Sequence, residues 1–160
     1  MNEEIQQIIN DQIQAELQSA YDYLAMSAFF EEQSLEGFAH WMKKQWEEET
    51  EHAMKFYRHL LARNGHVELK SLKQPSVSFN SPLDVFRKAL AQEQKITIFI
   101  HDMYERAVGD KDYALQQLLL WFIEEQVEEE DAARSIIDQL EMIGDSRSGL
   151  FLLDKELKQR

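Results

Sequence analysis

Trp46-Glu47-Glu48-Glu49-Thr50-Glu51-His52 is the stretch on which the fold turns, because it sets a carboxylate and an imidazole in the middle of an apolar helical stripe. Residues three apart on a helix lie side by side, so Glu49 and His52 point together, with Gln45 one turn before and Phe56 one turn after. The stripe reads Phe38, Met42, Gln45, Glu49, His52, Phe56, Leu60, the spacing of a buried helix face interrupted once, at its centre, by polar groups. An acidic run alone reads as a solvated face. Here three other segments repeat the pattern, and the stretch reads as metal-binding.

Upstream, Asn2 is a cap with Glu3 and Glu4 in the first turn, followed by a stripe of Ile5, Ile9, Ile13, Glu16, Ala20, Tyr23, Ser27 and Phe30. A short break from Ser34 to Gly37 leads into the central helix, which continues to Asn64-Gly65, a left-handed stop. So short a connection makes the two helices antiparallel neighbours. Downstream, His66 to Asn80 lacks periodicity and holds Pro75. Ser81-Pro82-Leu83-Asp84 then reads as a cap, a proline at the first helical position and an acid in the first turn. The third stripe is Phe86, Leu90, Glu93, Thr97, Ile100, Tyr104, closed by Gly109. After a turn at Asp110 to Asp112 the fourth is Leu119, Phe122, Gln126, Glu129, Ala133, Ile136, Leu140, ended near Gly144, and a short amphipathic piece from Leu150 to Leu157 follows Gly149. Helices of this length span about 40 Å, and the long link, extended, reaches about 50 Å. It can run the length of a bundle and make helices two and three parallel. The expected fold is all-α: residues 1–160 as a single domain, a four-helix bundle with one long crossover between helices two and three and a short fifth C-terminal helix.

Composition narrows the function. The 160 residues, 44% hydrophobic with only two Pro and five Gly, favour a folded chain rich in regular elements. With 30 acidic against 17 basic side chains the formal charge is −13, which repels nucleic acid and anionic membranes and attracts cations. There is no Cys, which excludes thiolate metal sites and thiol catalysis. The start, Met1-Asn2-Glu3-Glu4-Ile5, lacks the character of a signal peptide and no segment is a spanning helix, so a cytoplasmic location is expected. Glu16, Glu49, Glu93 and Glu129, with His52 and Gln126, should meet inside the bundle at similar depth. Burying an unpartnered carboxylate costs several kcal/mol, while a domain is stable by about 5 to 15 kcal/mol, so such acids need cations or protons. Oxygen ligands with a single imidazole suit Fe(II), Mn(II) or Zn(II). Two ions fit better than one, because Glu49 can bridge.

Asn10-Asp11-Gln12-Ile13-Gln14-Ala15-Glu16-Leu17, Glu48-Glu49-Thr50-Glu51-His52-Ala53, Gln92-Glu93, Glu125-Gln126-Val127-Glu128-Glu129-Glu130 and the tail Gly149 to Leu157 resemble the motifs of ferritins, bacterial non-haem ferritins above all, over nearly the whole chain. The resemblance implies a ferritin-like bundle with a di-iron ferroxidase centre: Glu16, Glu49 and His52 around the first iron, Glu49, Glu93 and Glu129 around the second, and Gln126 beside it. It also implies a tyrosine next to the centre at Tyr23 and a third iron position on Glu48, Glu125, Glu128 and Glu129. Departures from neighbouring families are informative. Where bacterioferritins carry a second Glu-x-x-His, this chain has Gln126-x-x-Glu129, and Thr50 stands where their haem-binding Met would be, so no haem is expected. Rubrerythrins need a Cys-rich domain. The acids that animal ferritins place in three-fold channels correspond to Gln116 and Leu119.

The implied function is iron storage: Fe(II) is oxidised by dioxygen or hydrogen peroxide, and Fe(III) collects inside a homo-oligomeric shell, by resemblance of twenty-four subunits. Neither nucleic acid nor membrane is an expected partner. The apolar face of the fifth piece, Leu150, Leu153 and Leu157, is expected to find little cover within one bundle and to serve assembly. Competing readings are a di-iron oxygenase or peroxidase acting on an organic substrate, a DNA-protecting mini-ferritin, and a structural bundle whose acids face water. His40, His59, His66 and His101 read as ordinary surface or core residues, and the tryptophans as packing.

Overall fold

Most of the chain is taken up by α1 (Glu3–Glu32), α2 (Glu36–Ala62), α3 (Pro82–Gly109), α4 (Tyr113–Ile143) and α5 (Arg147–Leu157). The computed structural model describes residues 1–160 and contains no strand. No helix is long and apolar enough to cross a membrane. The helix starts are chemically marked. Asn2 Oδ1 accepts from Ile5 N–H at 2.8 Å, Ser81 Oγ from Asp84 N–H at 3.1 Å, and Asp112 Oδ1 from Leu115 N–H at 3.0 Å, each satisfying a donor that the helix itself leaves free. α2 is the exception, since Leu35 has no capping side chain. Asp154 of α5 supplies the cap instead, its Oδ1 accepting from Phe38 N–H at 2.9 Å. After α2 it is Asn64, at φ 58, that turns left-handed. Gly65 contributes a donor, its N–H reaching Leu60 O at 2.9 Å.

Polar contacts at one end of the bundle set the chain directions. Asn2 Nδ2 donates to Asp110 Oδ2 at 3.0 Å and Arg63 Nη1 to Asp112 Oδ2 at 2.8 Å. The start of α1, the end of α2, the end of α3 and the start of α4 therefore lie together, so α1/α2 and α3/α4 are antiparallel hairpins and α2 runs parallel to α3. The crossover between them returns along α1, pinned by a row of amides four residues apart. Gln6 Oε1 accepts from His66 N–H at 2.8 Å, Asn10 Nδ2 donates to His66 O at 2.9 Å and its Oδ1 accepts from Glu68 N–H at 2.8 Å. Gln14 Nε2 donates to Ser71 O at 3.4 Å, and Gln18 Oε1 accepts from Lys73 N–H at 2.7 Å. These side chains satisfy backbone groups of a segment that has no regular structure of its own.

The interior divides in two. One apolar cluster gathers Phe30, Phe38, Met42, Phe86 and Leu140, with Leu153 of α5 among its buried members. The other gathers Ile5, Ile9, Phe56, Leu60, Ile100, Leu119 and Phe122. Between them lies a layer of buried polar side chains.

Three sequence expectations shift. α5 begins at Arg147, capped by Ser146, so Gly149 is a helical residue rather than a break, and a Cβ there would lie 2.9 Å from Ile143 Cγ2. Its Leu150, Leu153 and Leu157 are covered by this bundle's own core, while Phe151 and Leu152 face outward. α5 can approach so closely because residue 37 is glycine: a Cβ there would sit 1.6 Å from Asp154 O. In α3 the buried line is Val85, Phe86, Ala89, Glu93, Ile96, Ile100, Met103 and Ala107, and Leu90, Thr97 and Tyr104 lie half-buried at its edge. Leu119 is wholly buried and cannot line a channel, and Gln116 Nε2 donates to Ala107 O at 3.0 Å.

Candidate metal centre

All four long helices contribute to the polar layer: Glu16 from α1, Glu49 and His52 from α2, Glu93 from α3, and Gln126 and Glu129 from α4. All six are buried, and Glu16, Glu49 and Glu93 have no exposed surface. Three groups of side chains offer ligand atoms that lie within 4.8 Å of one another: Glu16, Glu49 and His52; Glu49, Glu93 and Glu129; and His52, Glu125 and Glu129. Glu49 belongs to the first two. His52 Nδ1 lies 3.6 Å from Glu49 Oε1 and 3.9 Å from Glu16 Oε2, and its Nε2 lies 3.8 Å from Glu125 Oε1.

A second ring of side chains holds the acids. Gln12 Nε2 donates to Glu16 Oε1 at 2.8 Å and Gln45 Nε2 to Glu129 Oε2 at 2.8 Å. Glu93 is held at both oxygens, by Tyr23 OH at 2.6 Å and by Gln126 Nε2 at 3.1 Å. What remains is a set of buried polar atoms with no partner: Glu16 Oε2, both oxygens of Glu49, His52 Nδ1 and Gln126 Oε1. Buried polar groups are nearly always paired, so five orphans in one layer are a specific chemical vacancy. All five are lone-pair donors, which suits a cation and not an anion or an apolar ligand.

The electrostatics agree. Burial raises Glu16 from its ordinary 4.5 to about 7, against the lowering effect of its bonds to Glu49 and Gln12. Burial, and then the charges of Glu93 and Glu16, push Glu49 well above the usual carboxylate range. Burial and the nearby Glu93 raise Glu129 to about 9. Glu93 is also raised by burial, though its bonds from Tyr23 and Gln126 hold it back. Burial, then the charge of Lys55, lowers His52 to about 4, leaving the imidazole neutral and its Nδ1 free to ligate. Without a cation this cluster keeps protons that ordinary carboxylates have lost. Hard oxygen donors with one neutral nitrogen fit a first-row divalent ion such as Fe(II).

The other residues named from sequence stand further out. Glu125 is half-buried, and burial followed by the charges of Glu128 and Glu48 raises its pKa. Glu128 is exposed, and Glu48 pairs with Arg160 Nη2 at 3.0 Å. Neither Glu48 nor Glu128 belongs to the three groups above. Thr50 Oγ1 donates to its own helix at Trp46 O, 2.7 Å away. Sequence reading assigned no role to Gln12, Gln45 or Arg160. The signal for the first was a Gln four residues ahead of a buried Glu. Gln45 and Arg160 act across the fold, on residues 84 and 115 positions away.

The sequence pattern of the ferritin-like domain matches residues 6–143. Over its full length the chain is 40% identical to the bacterial non-heme ferritin of Staphylococcus haemolyticus, covering 96% of that protein, and 38% identical to that of Staphylococcus aureus, also covering 96%. Among solved structures, an open-pore ferritin from the hyperthermophilic archaeon Archaeoglobus fulgidus superimposes with a TM-score of 0.99 at 40% identity, over 100% of this chain and 99% of that one. A closed form of that archaeal ferritin, engineered by site-directed mutagenesis, gives 0.98 at 40% identity, over 100% of this chain and 98% of its own.

Proposed function

The chain belongs to the ferritin family, and on that premise we propose that it stores iron by oxidising Fe(II) at a di-iron centre within each subunit and collecting Fe(III) inside a homo-oligomeric shell. The observation that carries this reading is the state of Glu49: fully buried, both carboxyl oxygens unpartnered, and common to two ligand groups. A carboxylate so placed bridges two cations. Glu16 Oε2 and His52 Nδ1 complete one position, and Glu93 and Glu129 the other. Fe(II) is the substrate here, and two held together give up two electrons together. That number takes dioxygen with two protons to hydrogen peroxide, or hydrogen peroxide with two protons to water.

The chain's own residues prepare this step. Fe(II) uptake expels the protons that burial leaves on Glu16, Glu49 and Glu129, so binding is coupled to proton release. Gln12, Gln45, Tyr23 and Gln126 fix carboxylate orientation before iron arrives, which spares reorganisation during oxidation. The free Gln126 Oε1 faces the layer and accepts a hydrogen bond from bound water. Carboxylates with a single imidazole bind Fe(II) without trapping Fe(III), as storage requires. Glu125, with Glu48, Glu128 and Glu129, forms the outer acidic patch of a third iron position, on the way from the pair to the mineral. Exposed Phe151 and Leu152 on α5 supply apolar surface for shell contacts, and the family points to twenty-four subunits.

The test is the initial rate of Fe(II) oxidation after oxygen is admitted, followed by near-ultraviolet absorbance. Wild type should exceed buffer and Glu49→Ala should fall to the buffer rate. Equal rates for the two proteins would remove Glu49 from the chemistry.

A further inference from the structure

We propose that Arg160 is a positioning residue for the metal centre, acting on Glu129 through the side-chain amide of Gln45; the inference rests on the di-iron reading above. Beyond α5 the chain folds back over α2. Arg160 O lies 2.9 Å from His40 Nε2, Arg160 Nη1 donates to Trp41 O at 3.1 Å, and the guanidinium carbon sits 4.5 Å over the Trp41 ring. Nη2 donates both to Glu48 Oε2 at 3.0 Å and to Gln45 Oε1. Trp41, Gln45 and Glu48 are spaced by four and three residues and so share one face of α2. The guanidinium lies along that face, held by backbone, ring, amide and carboxylate together.

The consequence for Gln45 follows from donor and acceptor counting. A glutamine amide has nearly the same shape either way round, and its neighbours decide which end is oxygen. Arg160 can only donate, so it selects the orientation with Oε1 toward itself. The same choice turns Nε2 toward Glu129 Oε2, 2.8 Å away. A flipped amide would set donor against donor at Arg160 and acceptor against acceptor at Glu129, with Gln45 almost wholly buried and no water to relieve either clash. Arg160 thus fixes one oxygen of Glu129 and leaves the other to face Glu49 and Glu93. Its planar fork is what the task requires, because an ammonium group cannot stack on Trp41 while donating to two acceptors along the helix.

Co(II) is the probe, because its visible absorption responds to coordination. Residues that orient a metal ligand typically change affinity by roughly 10- to 100-fold when removed. Arg160→Ala in the full chain should weaken Co(II) binding at the Glu49, Glu93 and Glu129 position by roughly tenfold and alter the intensity of the Co(II) bands there. The same loss should appear in a Glu48→Gln background. It should vanish in a Gln45→Met background, where no amide remains to orient. Wild-type affinity and spectrum in Arg160→Ala would overturn the proposal, and so would a loss that persists with Gln45→Met or disappears with Glu48→Gln. A wild-type protein that binds no Co(II) pair would bring down the di-iron reading as well, whereas a wild type that binds two and an indistinguishable Arg160→Ala would bring down this proposal alone.

Discussion

Replacing Glu49 by glutamine should make the metal-free protein more stable at neutral pH, although it destroys the centre. In the fold Glu49 is fully buried, has no donor on either oxygen, and is crowded by Glu16, Glu93 and Glu129, so its pKa stands well above the ordinary 4.5. A carboxyl that must keep its proton in the folded state, but is ionised in the unfolded chain, loses about 1.4 kcal/mol of stability for each pH unit above its unfolded value. The penalty is absent below that value, grows as pH rises, and levels off at the folded pKa. Between 4.5 and pH 7 it amounts to about 3 kcal/mol, a large part of a typical domain's stability. Glutamine has nearly the same shape and nothing to ionise. Glu49→Gln should therefore raise the unfolding midpoint at pH 7 by roughly 6 to 12 °C for a chain of this size, and the gain should shrink toward zero near pH 4.5. Metal reverses the order. A cation bound only to the folded form adds about 2.7 kcal/mol at a hundredfold excess over Kd, so Zn(II) should stabilise wild type and leave the variant unmoved. The assay is thermal unfolding by far-ultraviolet circular dichroism, with both proteins at matched assembly size. A metal-free variant no more stable than wild type at pH 7, or a difference independent of pH, would refute the reasoning.

The metal-free wild type should itself lose stability from about pH 6.5 to 9, by about 1.4 kcal/mol per unit for each extra proton the fold retains. Glu16 at about 7 and Glu129 at about 9 titrate in that window, whereas His52, lowered to about 4, contributes the opposite slope only below 6.5; denaturant midpoints that stay flat across this range would contradict it. Gly37→Ala should cost roughly 1 to 3 kcal/mol, because its Cβ would lie 1.6 Å from Asp154 O, and should lift α5 off the bundle. Faster amide hydrogen exchange at Leu150 to Leu157 checks this, and unchanged exchange refutes it. Purified protein should show no Soret band, since Thr50 turns its hydroxyl into its own helix and offers haem iron no ligand; a band at stoichiometric strength would contradict that.

How much of this was readable in the sequence depended on whether both flanks of a helix carry contrast. In α1, α2 and α4 every residue named on the stripes is buried, because charged residues bound each stripe on both sides. In α3 the stripe is bordered by Leu90, Thr97 and Tyr104, which are themselves apolar or half-polar, so two adjacent lines compete and only packing selects the one through Ala89, Ile96 and Met103. The polar interruptions at Glu16, Glu49, His52, Glu93, Gln126 and Glu129 were visible because acids on an apolar face are costly enough to need a reason. The seat of α5 was not visible. It depends on a glycine at residue 37 and a carboxylate at residue 154 meeting across the fold, and each looks ordinary in its own neighbourhood. The support of Glu129 through Gln45 and Arg160 is hidden for the same reason.

The central claim, that the buried acids form a paired iron site with Glu49 as its bridge, is tested most directly by counting. Metal-free protein titrated anaerobically with Fe(II), with bound iron read by calorimetry, should saturate at two tightly held ions per chain. Glu49→Ala, which leaves every other ligand in place, should lose tight binding at both positions together. Failure of wild type to saturate at a fixed stoichiometry, or undiminished binding of two ions by Glu49→Ala, would contradict the account.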